Sequence, residues 1–126
     1  MAKYGHLKVF KDTYDLTKGA LQSIRRFPKT FKYTLGAEMQ GNLYAAMNSI
    51  IAANSSRNKW DALSQAILKM EMWQLQLRLA KDMQCFPNSG NAWFDLTERS
   101  CEILRQLEGW RKANFEKNRG SLTNQS

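Results

Sequence analysis

A run of basic side chains around one proline is the strongest indication of chemistry in this sequence. Residues 23–36 read SIRRFPKTFKYTLG, and the wider segment 16–37 contains five bases and no acid. The five bases are Lys18, Arg25, Arg26, Lys29 and Lys32. Lysine and arginine bind phosphate oxygens, and Pro28 bends the array by interrupting a helix. The segment therefore predicts contact with a polyanion through its phosphates, largely independent of base sequence.

The charge of the whole chain supports this interpretation. Its 126 residues include 19 bases and 11 acids, a formal net charge of +8, which attracts polyanions. A second basic zone near the carboxyl end supplies further candidate phosphate ligands, which are Arg111, Lys112, Lys117 and Arg119. The alternative is a solvated charged face, but the absence of acids over 16–37 favours nucleic acid, RNA or DNA, as the partner.

Residue types that carry catalysis are scarce. The one histidine is His6, which excludes a His-dependent hydrolase and a multi-His metal site. Glu98 and Glu102 lie one helical turn apart, but the arginines around them make a surface ion-pair ladder the better interpretation. Cys85 and Cys101 lack the spacing of a zinc knuckle and are expected to be reduced. The sequence predicts a protein that is not an enzyme and needs no metal or cofactor.

Helices must position the basic side chains, because apolar residues recur at steps of three, four or seven along four segments. We place these helices at about 9–26, 28–54, 58–85 and 90–117. Short connections between them favour an all-α, antiparallel, up-down-up-down four-helix bundle. In that topology the two basic zones lie at opposite ends of the bundle.

The apolar stripes of these helices predict the core. Tyr14 of the first helix and Trp60 of the third fall on the stripes assigned to it. The aromatic residues Phe27, Phe31 and Tyr33, which interleave with the first basic zone, fit the core better than they fit base stacking.

The third predicted helix carries a second apolar set, offset from its core stripe. This set consists of Leu68, Met72, Leu75 and Leu79, and Tyr44 extends it on the second helix. A helix that is apolar over most of its circumference needs two partners. We interpret the second set as an interface between subunits of a homo-oligomer, with a wide core face as the alternative.

The length of the chain predicts one domain. We assign the bundle to residues 1–118 and a disordered tail to 119–126, where Leu122 is the one apolar side chain. No run of about 18 apolar residues occurs, and no apolar run follows a basic start. We therefore expect a cytoplasmic protein without a membrane partner.

Four stretches of the chain resemble the accessory variability determinant (Avd) family of diversity-generating retroelements. They read YDLTKGALQSIRRFPKTFKYTLGAEMQ, AAN, LQLRLAKDM and EILRQLEGWRKA, within about residues 14–113. The positions that match family motifs are Phe27, Pro28, Lys29, Leu35, Gly36, Arg78, Leu79, Ala80, Gly109 and Trp110. These positions are mainly structural.

The resemblance implies a four-helix subunit of a ring-like homopentamer. It also implies a basic, non-catalytic protein that binds the reverse transcriptase of the element and its template RNA or cDNA, and so supports mutagenic retrohoming. A related branch comprises four-helix proteins encoded by intervening sequences of bacterial large-subunit ribosomal RNA genes. A stand-alone RNA-binding protein of that type is the alternative.

Overall fold

A computed structural model describes residues 7–86 and 91–125, with side chains as far as Phe115. The described residues form five helices and no strand. The helices are α1 (Lys8–Ile24), α2 (Lys29–Lys32), α3 (Leu35–Ser55), α4 (Lys59–Asp82) and α5 (Asn91–Gln125). Because α2 is a single turn, the architecture consists of four long helices, as the apolar periodicity predicted.

Hydrogen bonds between the long helices show how they run. On three of the four neighbouring pairs of long helices, a residue near the start of one helix meets a residue nearer the end of the other. These bonds join Asn42 to Gln76 (2.7 Å), Gln74 to Ser100 (2.9 Å), Ser64 to Arg111 (3.1 Å) and Asp12 to Gln106 (2.8 Å). Consecutive long helices are therefore antiparallel, and α5 also packs against α1, which closes the bundle.

The core is formed where the apolar stripes of the four long helices meet. Its largest fully buried side chains include Trp73, Leu16, Leu43, Met70, Leu77, Ile103 and Leu107. Two threonines of α1 are also buried, because the hydroxyls of Thr13 and Thr17 donate at 2.7 Å to the carbonyl oxygens of Val9 and Thr13. Satisfied in this way, a threonine occupies the core at little cost.

Two aromatic side chains that the stripes assigned to the core are exposed instead. Tyr14 is turned outward because α1 buries Val9, Thr13 and Leu16 on its inner face. Trp60, in the first turn of α4, is also exposed and lies beside Phe115 of α5, with ring centroids 5.3 Å apart. The prediction of burial was wrong at both positions.

The second predicted helix does not run unbroken from residue 28. Its first turn is the separate helix α2, and the chain then leaves helical geometry at Thr34 (φ −114°, ψ −87°) before α3 begins at Leu35. The hydroxyl of Thr34 donates to the carbonyl oxygen of Thr30 at 2.7 Å. Side-chain bonds of this kind compete with the helical ladder, which helps to explain the interruption.

Gly36 allows α3 to start close to α1. A Cβ atom at this position would lie 2.7 Å from Cγ2 of Ile24 and 3.3 Å from the carbonyl oxygen of Phe31. We therefore expect the substitution Gly36→Ala to lower the free energy of unfolding by about 1–3 kcal/mol, measured by urea denaturation.

Gly109→Ala is the matched control for that substitution. It lies within α5, and a Cβ atom there would meet no described atom within 4 Å. We expect this variant to be up to about 1 kcal/mol more stable than the wild type, because alanine is the better helix former. Equal stability of the Gly36 variant and the wild type would mean that α1 and α3 have room to separate.

Asp12 links α1 to α5. Its carboxylate accepts hydrogen bonds from Nζ of Lys8 at 2.7 Å and from Nε2 of Gln106 at 2.8 Å. Burial favours the neutral acid, but these two bonds, with the charges of Lys8 and Lys11, outweigh it and hold the pKa of Asp12 below its ordinary value.

The lowered pKa makes a pH-dependent contribution to stability. Ionised Asp12 stabilises the fold above its unfolded-state pKa, and the contribution is lost as the pH falls through the lower folded-state pKa. Asp12→Asn should therefore be less stable than the wild type at pH 7, and the difference should shrink below about pH 4. Thermal unfolding from pH 7 to pH 2 measures it. A difference that stays constant would show that the carboxylate acts through its shape alone.

Lys59 closes the turn between α3 and α4. Its ammonium group donates to the carbonyl oxygens of Ala53, Asn54 and Ser56, at 2.7, 3.4 and 2.9 Å. A cation at a helix C-terminus is stabilised by the helix dipole. In the same turn, Oδ1 of Asn58 accepts a bond from the Trp60 amide and caps α4.

Helix α5 extends to Gln125, beyond the boundary at residue 118 that we expected for the bundle. Residues 1–6, which include His6, and residues 87–90 lie outside the described part of the chain. The domain limits and the disordered tail at 119–126 stay predictions.

Candidate nucleic-acid interface

The first basic zone lies where α1 ends and the chain turns into α2. Four cations form this zone, which we call the basic corner: Arg25, Arg26, Lys29 and Lys32. Backbone bonds fix its shape, because the amides of Phe31 and Lys32 both donate to the carbonyl oxygen of Pro28, at 2.9 and 2.8 Å. The corner therefore presents its cations from a defined turn.

Phe27 anchors the corner to the core. Its side chain is buried and meets Phe86 edge to face, with ring centroids 5.4 Å apart. Phe31 is half-buried and packs against the same core. Phe27 and Phe31 confirm the prediction that aromatic residues of this segment belong to the core. Their burial leaves the surrounding cations at the surface.

The cations of the basic corner have no acidic partner among the described residues. Arg25, Arg26 and Lys29 are exposed and Lys32 is half-buried, and none of the four forms an ion pair with a described residue. Five cations elsewhere do form such pairs, and they are Lys8, Lys11, Arg78, Arg99 and Arg105. Because like charges repel one another, binding of a polyanion would relieve the repulsion within the corner, which makes this zone a candidate anion site.

Tyr33 departs from the expectation that the aromatics of this segment are buried. Its side chain is 66% exposed, the largest exposed fraction among the large apolar side chains that the structure describes. Nζ of Lys32 lies 5.5 Å from the centroid of the ring. The prediction of burial was therefore wrong for Tyr33, which lies on the surface beside the cations.

Lys18 lies on α1, about two turns before the corner. It is exposed, and its Nζ is 5.6 Å from the centroid of the Tyr14 ring. A groove of about 530 Å³ between α1 and α5 connects Lys18 to Arg26 and Arg99. Its acids are partly neutralised, because Asp95 pairs with Arg99 at 3.0 Å.

The second basic zone lies at the opposite end of the bundle, as the topology predicted. Arg111 is already engaged there, since its guanidinium group lies 4.7 Å from the Trp60 ring and donates to Oγ of Ser64. Lys112 is exposed. Lys117 and Arg119 follow Phe115, the last residue whose side chain the structure describes. Phosphate binding at this zone stays a prediction.

The second apolar set of α4 lies on the outside of the bundle. We call it the apolar face, and it consists of Leu68, Met72, Leu75 and Leu79, with Tyr44 of α3. Each of these side chains is about half exposed or more, and Leu75 is 64% exposed. A shallow groove of about 470 Å³ between α3 and α4 runs past Leu68 and Met72. The alternative of a wide core face is therefore wrong, because these side chains do not enter the core.

Comparison with known proteins decides the family of the chain. A family model described as bAvd-like matches residues 8–114. The chain belongs to the bAvd-like family. Searches of curated proteins and of solved structures found no match.

The bAvd-like match covers most of the features described above. It includes the whole basic corner, the apolar face, and Arg111 and Lys112 of the second basic zone, but it ends before Lys117 and Arg119. The resemblance to Avd proteins that the sequence motifs indicated is thereby confirmed.

The acidic residues and cysteines that were considered above as candidates for catalysis lie in surroundings typical of residues with a structural role in this bAvd-like chain. Glu102 pairs with Arg105 at 2.6 Å, as expected for a surface ladder. Cys85 and Cys101 are both free thiols, and burial raises the pKa of the Cys85 thiol. Within the described residues, no three His, Cys, Asp or Glu side chains are grouped to hold a metal ion.

The helices of the described part are each too short or too polar to span a bilayer.

Proposed function

We propose that this bAvd-like chain is the non-catalytic accessory protein of a diversity-generating retroelement. In this role it binds the reverse transcriptase of the element and its template RNA or cDNA, and it supports mutagenic retrohoming in the cytoplasm. Family membership supports the accessory role. The observation that carries nucleic-acid binding is the basic corner, whose four cations lack acidic partners among the described residues.

The proposal includes assembly into a ring-like homopentamer. The apolar face supports self-association, because three exposed leucines and one methionine along one helix are stabilised when a second subunit covers them. A ring would also present five copies of the basic corner to one nucleic acid. Contacts that are weak singly become strong when one strand can reach several of them.

A pull-down from cells that carry the element tests the function. The tagged protein is washed in high salt, which screens nonspecific attraction to a +8 chain, and the retained proteins and RNA are identified. We expect a reverse transcriptase together with a retroelement transcript.

Two controls define the result of that pull-down. A variant with glutamine at all four positions of the basic corner should retain less RNA. Recovery of ribosomal RNA without a polymerase would favour the alternative, a stand-alone RNA-binding protein of the intervening-sequence type. Recovery of neither partner would contradict the accessory role.

A further inference from the structure

The backbone of Tyr33 has a defined geometry next to the basic corner. It follows the single turn of α2, where its backbone has φ −96° and ψ 0°. Thr34 stabilises this geometry with two hydrogen bonds. Its amide donates to the carbonyl oxygen of Phe31, and its hydroxyl donates to the carbonyl oxygen of Thr30. An aromatic ring that is 66% exposed therefore lies on an ordered turn, and no part of the described core covers it.

The surroundings of Tyr33 fit nucleic acid better than an apolar partner. Lys32 lies 5.5 Å from the ring centroid, and Lys29 is exposed one turn earlier. A protein interface that covered the ring would also desolvate these unpaired cations, which is costly. A nucleotide matches both parts of the site, because its base offers a flat apolar face and its phosphates offer negative charge.

We infer that Tyr33 stacks on an unpaired base while the cations of the basic corner hold the neighbouring phosphates. This inference rests on the proposed nucleic-acid binding and adds which form of nucleic acid the corner takes. In a duplex the base faces are already stacked on one another, so the ring has no surface to cover. The corner therefore selects single-stranded segments over duplex.

The test compares two probes of equal length, an oligouridylate and a blunt RNA duplex, by fluorescence anisotropy. Tyr33→Ala should weaken oligouridylate binding by about 5- to 150-fold, the range found when one stacking aromatic is removed. Affinity for the duplex should stay unchanged. The salt dependence of the remaining binding should also stay unchanged, because no phosphate contact is lost.

Two variants serve as controls. Tyr33→Phe keeps the ring and should bind the oligouridylate as the wild type does. Phe94→Ala removes a comparable aromatic of α5, which is 58% exposed and has no described cation over its ring, and it should have no effect.

Several outcomes would overturn the stacking role. They are unchanged oligouridylate affinity in Tyr33→Ala, an equal loss for both probes, and a change in the association state of that variant, which would assign the ring to a subunit contact. If binding depends on the corner cations but not on Tyr33, only the stacking inference is wrong and nucleic-acid binding at the corner stands. If binding is also indifferent to the corner cations, nucleic-acid binding at the corner fails with it.

Discussion

Glutamine at all four positions of the basic corner should weaken RNA binding by at least about tenfold at low salt and flatten its salt dependence. Each phosphate contact to a single strand contributes about 0.7 to the slope of log affinity against log salt concentration, so four lost contacts lower the slope by up to about 3. Titration of a single-stranded RNA at several salt concentrations measures both quantities. The fold should survive, because three of the four side chains are exposed, Lys32 is half-buried, and none of them forms an ion pair with a described residue.

A second fourfold variant separates the position of the charges from their number. Glutamine at Lys8, Lys11, Arg99 and Arg105 removes the same formal charge, but each of these cations is paired with an acid. Such pairs already neutralise one another, so this control should bind RNA much more tightly than the corner variant. Equal losses in the two variants would show that net charge, and not the corner, drives binding.

Glutamate at Leu68 and Leu75 should convert the proposed pentamer into monomers. Both leucines project from the apolar face, and a carboxylate buried there without a partner costs several kcal/mol. In a ring this cost recurs at every subunit contact. Sedimentation velocity should show a pentamer for the wild type and a folded monomer for the double variant, since neither side chain contributes to the core.

Phe94→Glu is the control for that experiment. It places one such carboxylate at an exposed apolar position of α5 that is not part of the apolar face, and it should leave the proposed pentamer intact. A wild-type protein that is monomeric at tens of micromolar would contradict assembly through this face. So would a double variant that sediments as the wild type does.

The sequence predicts the four long helices and most of the core, because both depend on a periodicity that extends over many residues. It also predicts that the second apolar set of α4 lies apart from the core stripe. Leu75 is seven residues from Leu68 and therefore shares its side of the helix, while Trp73 and Leu77 point into the bundle. That separation is a property of one helix and needs no knowledge of its neighbours.

Features that depend on contact with a neighbouring element could not be predicted from the sequence. The exposure of Tyr33 follows from the break at Thr34, where a side-chain hydrogen bond and the approach of α3 to α1 decide the geometry. Thr13 was missed for a different reason, since it occupies a core position because its hydroxyl donates to a carbonyl oxygen of its own helix. A search for apolar residues alone misses a buried threonine, although the four-residue spacing of Val9, Thr13 and Thr17 would have indicated that Thr13 shares the buried side of α1.

The two cysteines differ in accessibility, so the natural protein offers one thiol for labelling. Cys85 is fully buried with a raised pKa, so little of it is the reactive thiolate at neutral pH. Cys101 is exposed on α5, next to Gln74 of α4. A thiol-reactive fluorophore should therefore label the unmodified chain at one site, Cys101, which belongs to neither the basic corner nor the apolar face. Binding and assembly can then be followed optically without first engineering a cysteine.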